Sequence, residues 1–281
     1  MVGLGLGSYG RTHRTRKGAD MSGIETRHEL EYKASVRREW TTAASGWERW
    51  FDTIEAPGAG RAITAVLLEQ AAVHAGDDVL DVGAGYGEPG LSAASVVGPK
   101  GSVTCLDISG DMLAFAERRA REAGLTNVAF VEADVEDHLF DAATYDVVLS
   151  RATLMYASDP LAAMRRLHDA LRPGGRLAVA VWATPDKVAF ATPVAVMVDM
   201  GVIEPPRPGP GPFALGADGM LETLVRDRGF VDVAAGTAVA EYEIATAEAC
   251  TQWLRDVAPP ITELVGSLPA QTQDQVWDRV T

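Results

Sequence analysis

The feature that most constrains this chain is the run Val79-Leu80-Asp81-Val82-Gly83-Ala84-Gly85-Tyr86-Gly87, a short apolar stretch that ends in alternating glycines. An apolar run this short, closed by glycine, reads as a buried strand, and Leu91 to Val97 after it reads as helix. The same alternation then repeats. Ser102 to Leu106 is a second strand ending at Asp107, and Asp111 to Ala123 is a helix closed by Gly124. Asn127 to Val131 and Tyr145 to Leu149 are the third and fourth strands. Leu161 to Leu171 is a helix stopped by Arg172-Pro173-Gly174-Gly175, and Arg176 to Trp182 is the fifth strand. Strands that alternate with helices of ten or more residues require crossover connections, hence a parallel sheet. The expected fold class is α/β, a doubly wound and mostly parallel sheet.

The flanks divide the chain further. Residues 1–24 are glycine-rich and then basic, through Arg11, Arg14, Arg16 and Lys17, and they lack the apolar core of a signal peptide. They are expected to form a disordered basic tail, with Met21 as an alternative start. Gly5, Gly7 and Gly10 match a GxGxxG pattern there, but no strand precedes them, so the match is set aside. Residues 25–58 are expected to form a helical cap carrying Trp40, Trp47, Trp50 and Phe51, and 59–183 the core. Residues 184–220 are expected to be a lid or substrate insertion, helical over 187–200 and then broken by Pro205-Pro206-Arg207-Pro208-Gly209-Pro210-Gly211-Pro212. Residues 221–281 complete the core with a helix near 218–228 and a sixth strand at about 231–244. The rest reads as helical.

Composition narrows the function. Across 281 residues, 47% are hydrophobic and 23% charged, which is ordinary for a globular chain. The net charge of −14 lowers the case for a nucleic-acid partner, which would meet a basic face. Cys105 and Cys250 lie far apart with no zinc spacing, which points to a reducing cytoplasm. No apolar run approaches the roughly 18 residues of a membrane span. The histidines His13, His28, His74, His138 and His168 show no ligand spacing, so no metal site is expected.

Ligands of doubly wound sheets bind beyond the carboxyl ends of the strands, where strand order reverses. The glycine turn after the first strand lets backbone approach a ligand closely, and the next helix offers free N–H groups. Asp107, ending the second strand, can accept hydrogen bonds from both hydroxyls of a ribose. Asp134, just past the third strand, can accept from an exocyclic adenine amine. Glu88 stands where the dinucleotide fingerprint wants a small residue, and a carboxylate there suits a pyrophosphate poorly.

Taken together, these segments resemble the ordered motifs of class I S-adenosylmethionine-dependent methyltransferases, and most of all the ubiquinone/menaquinone-biosynthesis group. The segments are Val79 to Gly87, Leu106-Asp107-Ile108-Ser109 with Met112, Glu132-Ala133-Asp134, and Leu171 to Gly175. Ser150-Arg151-Ala152-Thr153-Leu154-Met155-Tyr156 with Asp159-Pro160 is similar to that group's segment after the fourth strand. The resemblance covers residues 60–182 and implies a Rossmann-like fold with S-adenosyl-L-methionine as cofactor. It implies that Asp81, Gly83, Ala84, Gly85 and Gly87 hold the methionine part, with Ser150 beside them, and that Asp107 holds the ribose. Ile108 and Met112 would flank the adenine, Asp134 its amine, and the Val135 N–H a ring nitrogen. Met112 as plain core and Asp134 as a turn cap are the structural alternatives. Such relatives usually end with a seventh strand, antiparallel, between the fifth and sixth. No strand-like run follows residue 244, so the sheet is expected to lack it or the chain to be truncated.

The expected activity is methyl transfer to a small-molecule acceptor, quinol, phenol or natural-product-like, with O- or C-methylation favoured. The Asp/Asn-Pro-Pro-aromatic signature of amino-methyltransferases is absent after the fourth strand. Arg151, Tyr156 and His138 are the candidate catalytic residues. An NAD(P)-dependent oxidoreductase and a non-catalytic nucleoside-binding module remain the alternatives, and oligomeric state is left open.

Overall fold

A computed structural model describes Val2–Ser8 and residues 27–281. The parallel sheet expected from the alternation is present. It comprises β2 (Asp78–Val82), β3 (Ser102–Asp107), β4 (Val128–Glu132), β5 (Tyr145–Arg151) and β6 (Leu171–Trp182). Two further strands extend it, β1 (Val2–Ser8) and β7 (Val231–Ala238), giving the order β4-β3-β2-β5-β6-β1-β7. Strand order therefore reverses between β2 and β5.

The expectation of a disordered tail over residues 1–24 is corrected at Val2–Ser8, while residues 9–24 lie outside the described residues. β1 pairs antiparallel with both β6 and β7, Leu4 lying opposite Ala180 on one side and Gly236 on the other. It thus fills the place between the fifth and sixth core strands where the resemblance puts a C-terminal seventh strand. As expected, residues 250–281 contain no strand. They lie in α9 (Ala247–Val257), α10 (Pro259–Gly266) and α11 (Ala270–Val280). The sheet is not short of a strand, because an unpaired edge on β6 accepts any extended segment with free N–H and C=O groups, whichever end of the chain supplies it.

Alternation along β2 sends Val79 and Asp81 to one face of the sheet, and Leu80 and Val82 to the other. On the first face Val79 packs with α3 (Gly60–Gln70), α4 (Gly90–Val97) and α5 (Gly110–Glu122) through Leu67, Ala93 and Leu113. On the second, Leu80 and Val82 meet α6 (Pro160–Ala170) and α8 (Met220–Arg226) through Leu167 and Leu221. Ser109 caps α5 by accepting the Met112 N–H, and Asp159 caps α6 by accepting that of Ala162.

A third cluster is wholly helical. α1 (Arg27–Arg49), α2 (Phe51–Ile54) and α7 (Thr192–Asp199) pack with α9, α10 and α11 around Ile54, Met197, Trp253, Val265 and Trp277. The cap expected from residues 25–58 is thus built from both ends of the chain. α1 and α9 cross so closely that a Cβ on Gly46 would fall 2.2 Å from the Asp256 carbonyl oxygen. The main cavity lies between this helical layer and the carboxyl ends of β2, β3 and β5. No helix among the described residues is long and apolar enough to cross a membrane.

Candidate functional site

The loop after β2 is folded back on β3. The N–H groups of Gly83 and Ala84 both donate to the Leu106 carbonyl, at 2.8 and 3.0 Å. Gly83 has φ 68°, and a Cβ there would sit 2.0 Å from the Thr153 Oγ1, so only glycine fits beneath the turn that follows β5. Gly85 has φ 51°, lines the cavity, and a Cβ there would meet open space.

Asp107 is the polar centre of this wall. It is 8% exposed and lines the cavity. Its Oδ2 accepts the Gly85 N–H at 2.8 Å and its Oδ1 accepts the Ser109 N–H at 2.8 Å. Burial pushes its carboxyl up to about 6, against the lowering effect of the Ser109, Gly85 and Ile108 N–H groups. Each carboxylate oxygen keeps a lone pair for a further donor. Ala84, Ile108, Met112, Asp134 and Val135 line the same cavity. Asp134 Oδ1 accepts the Glu136 N–H at 2.8 Å, and its Oδ2 lies 3.5 Å from the Lys33 ammonium on α1. The capping role and the cavity position are therefore held by one residue.

Three residues expected to touch a cofactor stand elsewhere. Asp81 is fully buried on the α4 side of the sheet, where its Oδ2 accepts the Gly90 N–H at 2.7 Å, and it does not line the cavity. Strand alternation dictates this, since Asp81 shares the face of Val79. Burial pushes its carboxyl up to about 7, and its Oδ1 has no partner. Gly87 also lies behind the loop, where a Cβ would meet Leu91 and Ala116 at 2.8 and 3.1 Å, so it serves helix packing. Ser150 is fully buried in β5 and does not reach the cavity.

Of the candidate catalytic residues, Arg151 lines the cavity but is committed to structure. Its guanidinium donates to the Gly60 carbonyl at 2.7 Å, Thr64 Oγ1 at 2.8 Å, Glu55 Oε1 at 2.8 Å, and the Tyr86 hydroxyl. Tyr86 in turn donates to Glu55 at 2.6 Å. Tyr156 lines the cavity, packed edge-on against Trp40 with ring centroids 5.5 Å apart. Burial, with Tyr32 and Glu39 nearby, raises its phenol well above the ordinary value. His138 does not line the cavity and packs against Phe140 at 4.6 Å. Glu88, awkward for a pyrophosphate, is held by Arg119 at 2.9 Å and by the Ser92 hydroxyl at 2.6 Å.

Sequence reasoning named no side chain of the far walls as a site residue, although it expected 184–220 to be a lid or substrate insertion. Tyr32 and Lys33 of α1, Trp182, Phe190, Pro212, Tyr242 and Trp253 all line the cavity. Only the aromatic content of the flanks hinted at them, since their convergence depends on how the helical layer packs. Among the described residues no group of three or more His, Cys, Asp or Glu side chains is placed to hold a metal ion.

Comparison with known proteins agrees with this geometry. The family described as "Methyltransferase domain" matches residues 73–192. The chain is 30% identical to the nocamycin O-methyltransferase of Saccharothrix syringae, over 69% of this chain and 73% of that protein. It is 31% identical to the aklanonic acid methyltransferase of Streptomyces sp. (strain C5), over 52% of this chain and 64% of that protein. The chain spans about half to two-thirds of the length of the first curated relatives it matches, ubiquinone/menaquinone biosynthesis C-methyltransferases among them. In fold it is similar to the [4+2]-cyclase SpnF, with a TM-score of 0.52 and 19% identity, covering 94% of this chain and 89% of that one. The glycine loop at the strand-order switch, the Asp107 carboxylate on the neighbouring strand and the methyltransferase relatives converge on one conclusion: the chain belongs to the class I S-adenosylmethionine-dependent methyltransferases.

Proposed function

We propose that this protein transfers a methyl group from S-adenosylmethionine to a small-molecule acceptor, with O- or C-methylation favoured. The observation that carries the reading is the placement of Asp107 at the end of β3. There its carboxylate lines the cavity beside Gly85, whose N–H it accepts. A ribose diol fits that carboxylate, Ile108 and Met112 offer apolar contact for an adenine, and Asp134 accepts from its amine. Ala84 and Gly85 supply backbone for the methionine part.

When bound, the cofactor supplies an electrophilic methyl on a sulfonium, so the hard chemistry is not the protein's. The chain's task is to hold the acceptor in line and exclude water, worth several orders of magnitude in rate when geometry is exact. Tyr156 is protonated at neutral pH, as an ordinary phenol is, and burial raises its phenol further. It therefore acts by donating a hydrogen bond to an acceptor oxygen, not by removing a proton. The ion pair of Arg151 with Glu55 fixes the cavity floor by tying α3 and the chain after α2 to Tyr86 of the glycine loop. The segment 184–220 reaches the cavity through Phe190 and Pro212, which suits a lid over the acceptor.

The test is calorimetric titration with S-adenosylmethionine, S-adenosylhomocysteine and NAD in parallel. A mass-spectrometric search for products one methyl heavier follows, across quinols, phenols and natural-product acids. Binding of the adenosyl compounds and not NAD is expected. NAD binding without either adenosyl compound would overturn the reading.

A further inference from the structure

The helix after the glycine turn is expected to offer free N–H groups to an anion, yet the chain itself takes them. The start of α4 presents three such donors, since its N-cap, Pro89, has none. Asp81 Oδ2 accepts the Gly90 N–H at 2.7 Å, the Gly87 carbonyl accepts that of Leu91 at 2.7 Å, and Glu88 Oε2 accepts that of Ser92 at 3.3 Å. Glu88 Oε2 also accepts the Ser92 hydroxyl at 2.6 Å, and its Oε1 is held by the Arg119 guanidinium at 2.9 Å. Arg119 reaches over from α5, donates to the Tyr86 carbonyl at 2.7 Å and lies 4.2 Å from the centre of the Phe51 ring. Asp81 is fully buried with its Oδ1 unpartnered, while Glu88 is 8% exposed and lines the cavity. In a doubly wound sheet this helix start is where the phosphates of a nucleotide bind, next to the ribose-holding acid of the following strand.

We propose that Glu88, backed by Asp81, keeps phosphate-bearing adenine nucleotides out of the cavity by standing as the chain's own anion at the start of α4. The proposal rests on the reading of the Asp107 wall as an adenosine site. Such a wall does not by itself distinguish S-adenosylmethionine from ADP, ATP or NAD, because all of them carry adenosine. Discrimination comes from what meets the group beyond the ribose. A phosphate arriving there finds the helix donors and the Arg119 guanidinium engaged. To win them it must displace a tethered carboxylate and leave that charge buried without its partners. A methionine tail carries an ammonium beside its carboxylate and has the backbone of the glycine turn to bind, so it does not compete for the helix start. Glu88 occupies the place of the small residue in the dinucleotide fingerprint. Glu88→Ala restores that fingerprint and frees the Ser92 N–H and Arg119 together.

Calorimetry on the full chain with adenosine, ADP, NAD and S-adenosylhomocysteine tests this. The readout is the ratio of ADP affinity to adenosine affinity, in which any change at the shared nucleoside wall cancels. In the wild type ADP is expected to bind more weakly than adenosine. Glu88→Ala is expected to raise the ratio about 10- to 100-fold, the worth of one hydrogen bond to a charged group, and NAD should gain with it. Adding Arg119→Met should remove most of the gain, because the phosphate then loses its cation. Glu88→Gln keeps the length without the charge and should raise the ratio about 2- to 10-fold. It carries the test if the alanine variant does not fold, as judged by melting and by S-adenosylhomocysteine binding. A carboxylate that merely caps the helix would lower the melting temperature on replacement and leave the ratio where it was. A wild type that binds ADP more tightly than adenosine, or an unchanged ratio in whichever Glu88 variants fold, would overturn the proposal. If adenosine and S-adenosylhomocysteine bind the wild type and the ratio does not move, this inference alone fails. If neither binds the wild type, the methyltransferase reading fails with it.

Discussion

Under the proposed function Asp107 holds the ribose of the cofactor, and its burial beside the cavity sets the direction of the pH dependence expected on replacing it. In the folded chain the carboxyl rises from 3.8 to about 6, chiefly by burial. At about 1.4 kcal/mol per pH unit this corresponds to on the order of 3 kcal/mol against ionisation. Because the folded value is the higher one, the stability Asp107 contributes is full below pH 3.8 and lost as pH climbs through 6. Cofactor binding has the opposite sign, since a ribose diol donates two hydrogen bonds and needs the ionised carboxylate. Hydrogen bonds to a charged group contribute about 1.5 to 3 kcal/mol each, so Asp107→Ala should weaken S-adenosylhomocysteine by about tenfold to several hundredfold at pH 8. Asparagine is no close substitute. Both carboxylate oxygens already face backbone N–H groups, of Gly85 and Ser109, and an amide must turn its NH₂ on one of them. In the wild type, affinity should fall as pH drops below 6, steepening towards about tenfold per pH unit, while both variants stay flat. Calorimetry from pH 5 to 8, in buffers of different ionisation enthalpy, measures affinity and proton uptake together. A pH-independent wild type, or a variant that keeps the slope, would refute the assignment of the ribose contact to Asp107.

Three further outcomes are expected. Asp81→Asn removes a charge that burial disfavours and keeps an acceptor for Gly90, so the melting temperature at pH 8 should be unchanged or higher. A drop of several degrees would contradict the placement of Asp81 behind the loop. Arg151→Met strands the buried Glu55 carboxylate and should cost about 3–5 kcal/mol in urea unfolding. Adding Glu55→Gln should recover part of it, and no recovery would mean that the pair is not coupled. Deleting Val2–Ser8 bares the facing edges of β6 and β7, so amide exchange over residues 176–182 and 231–238 should accelerate; unchanged protection would show that β1 is dispensable to the sheet.

The parallel core and its order were legible because the evidence for them is local. Each strand is a short apolar run, and each helix carries a periodic face with a stop such as Gly124 or Pro173-Gly174. Asp107 was legible for the same reason, since a strand-end acid after a glycine turn has one place to go. Asp81 was not. Its position in a motif suggested contact with ligand, but period-two alternation turned it towards α4, and only the packed sheet shows which face holds the cavity.

What the sequence by itself determined is therefore the doubly wound core, the family and the place of Asp107 at the end of β3. The tertiary structure alone decided three things: that β1 fills the place between β6 and β7, that Arg151 is held by Glu55 and Tyr86, and that Trp182, Phe190, Tyr242 and Trp253 meet at the cavity. The physical reason is range. Hydrophobic periodicity and turn chemistry act over a few residues and leave their mark in the local sequence. Strand pairing between residue 4 and residues 180 and 236, or an ion pair between residues 55 and 151, depends on contacts that no local pattern encodes.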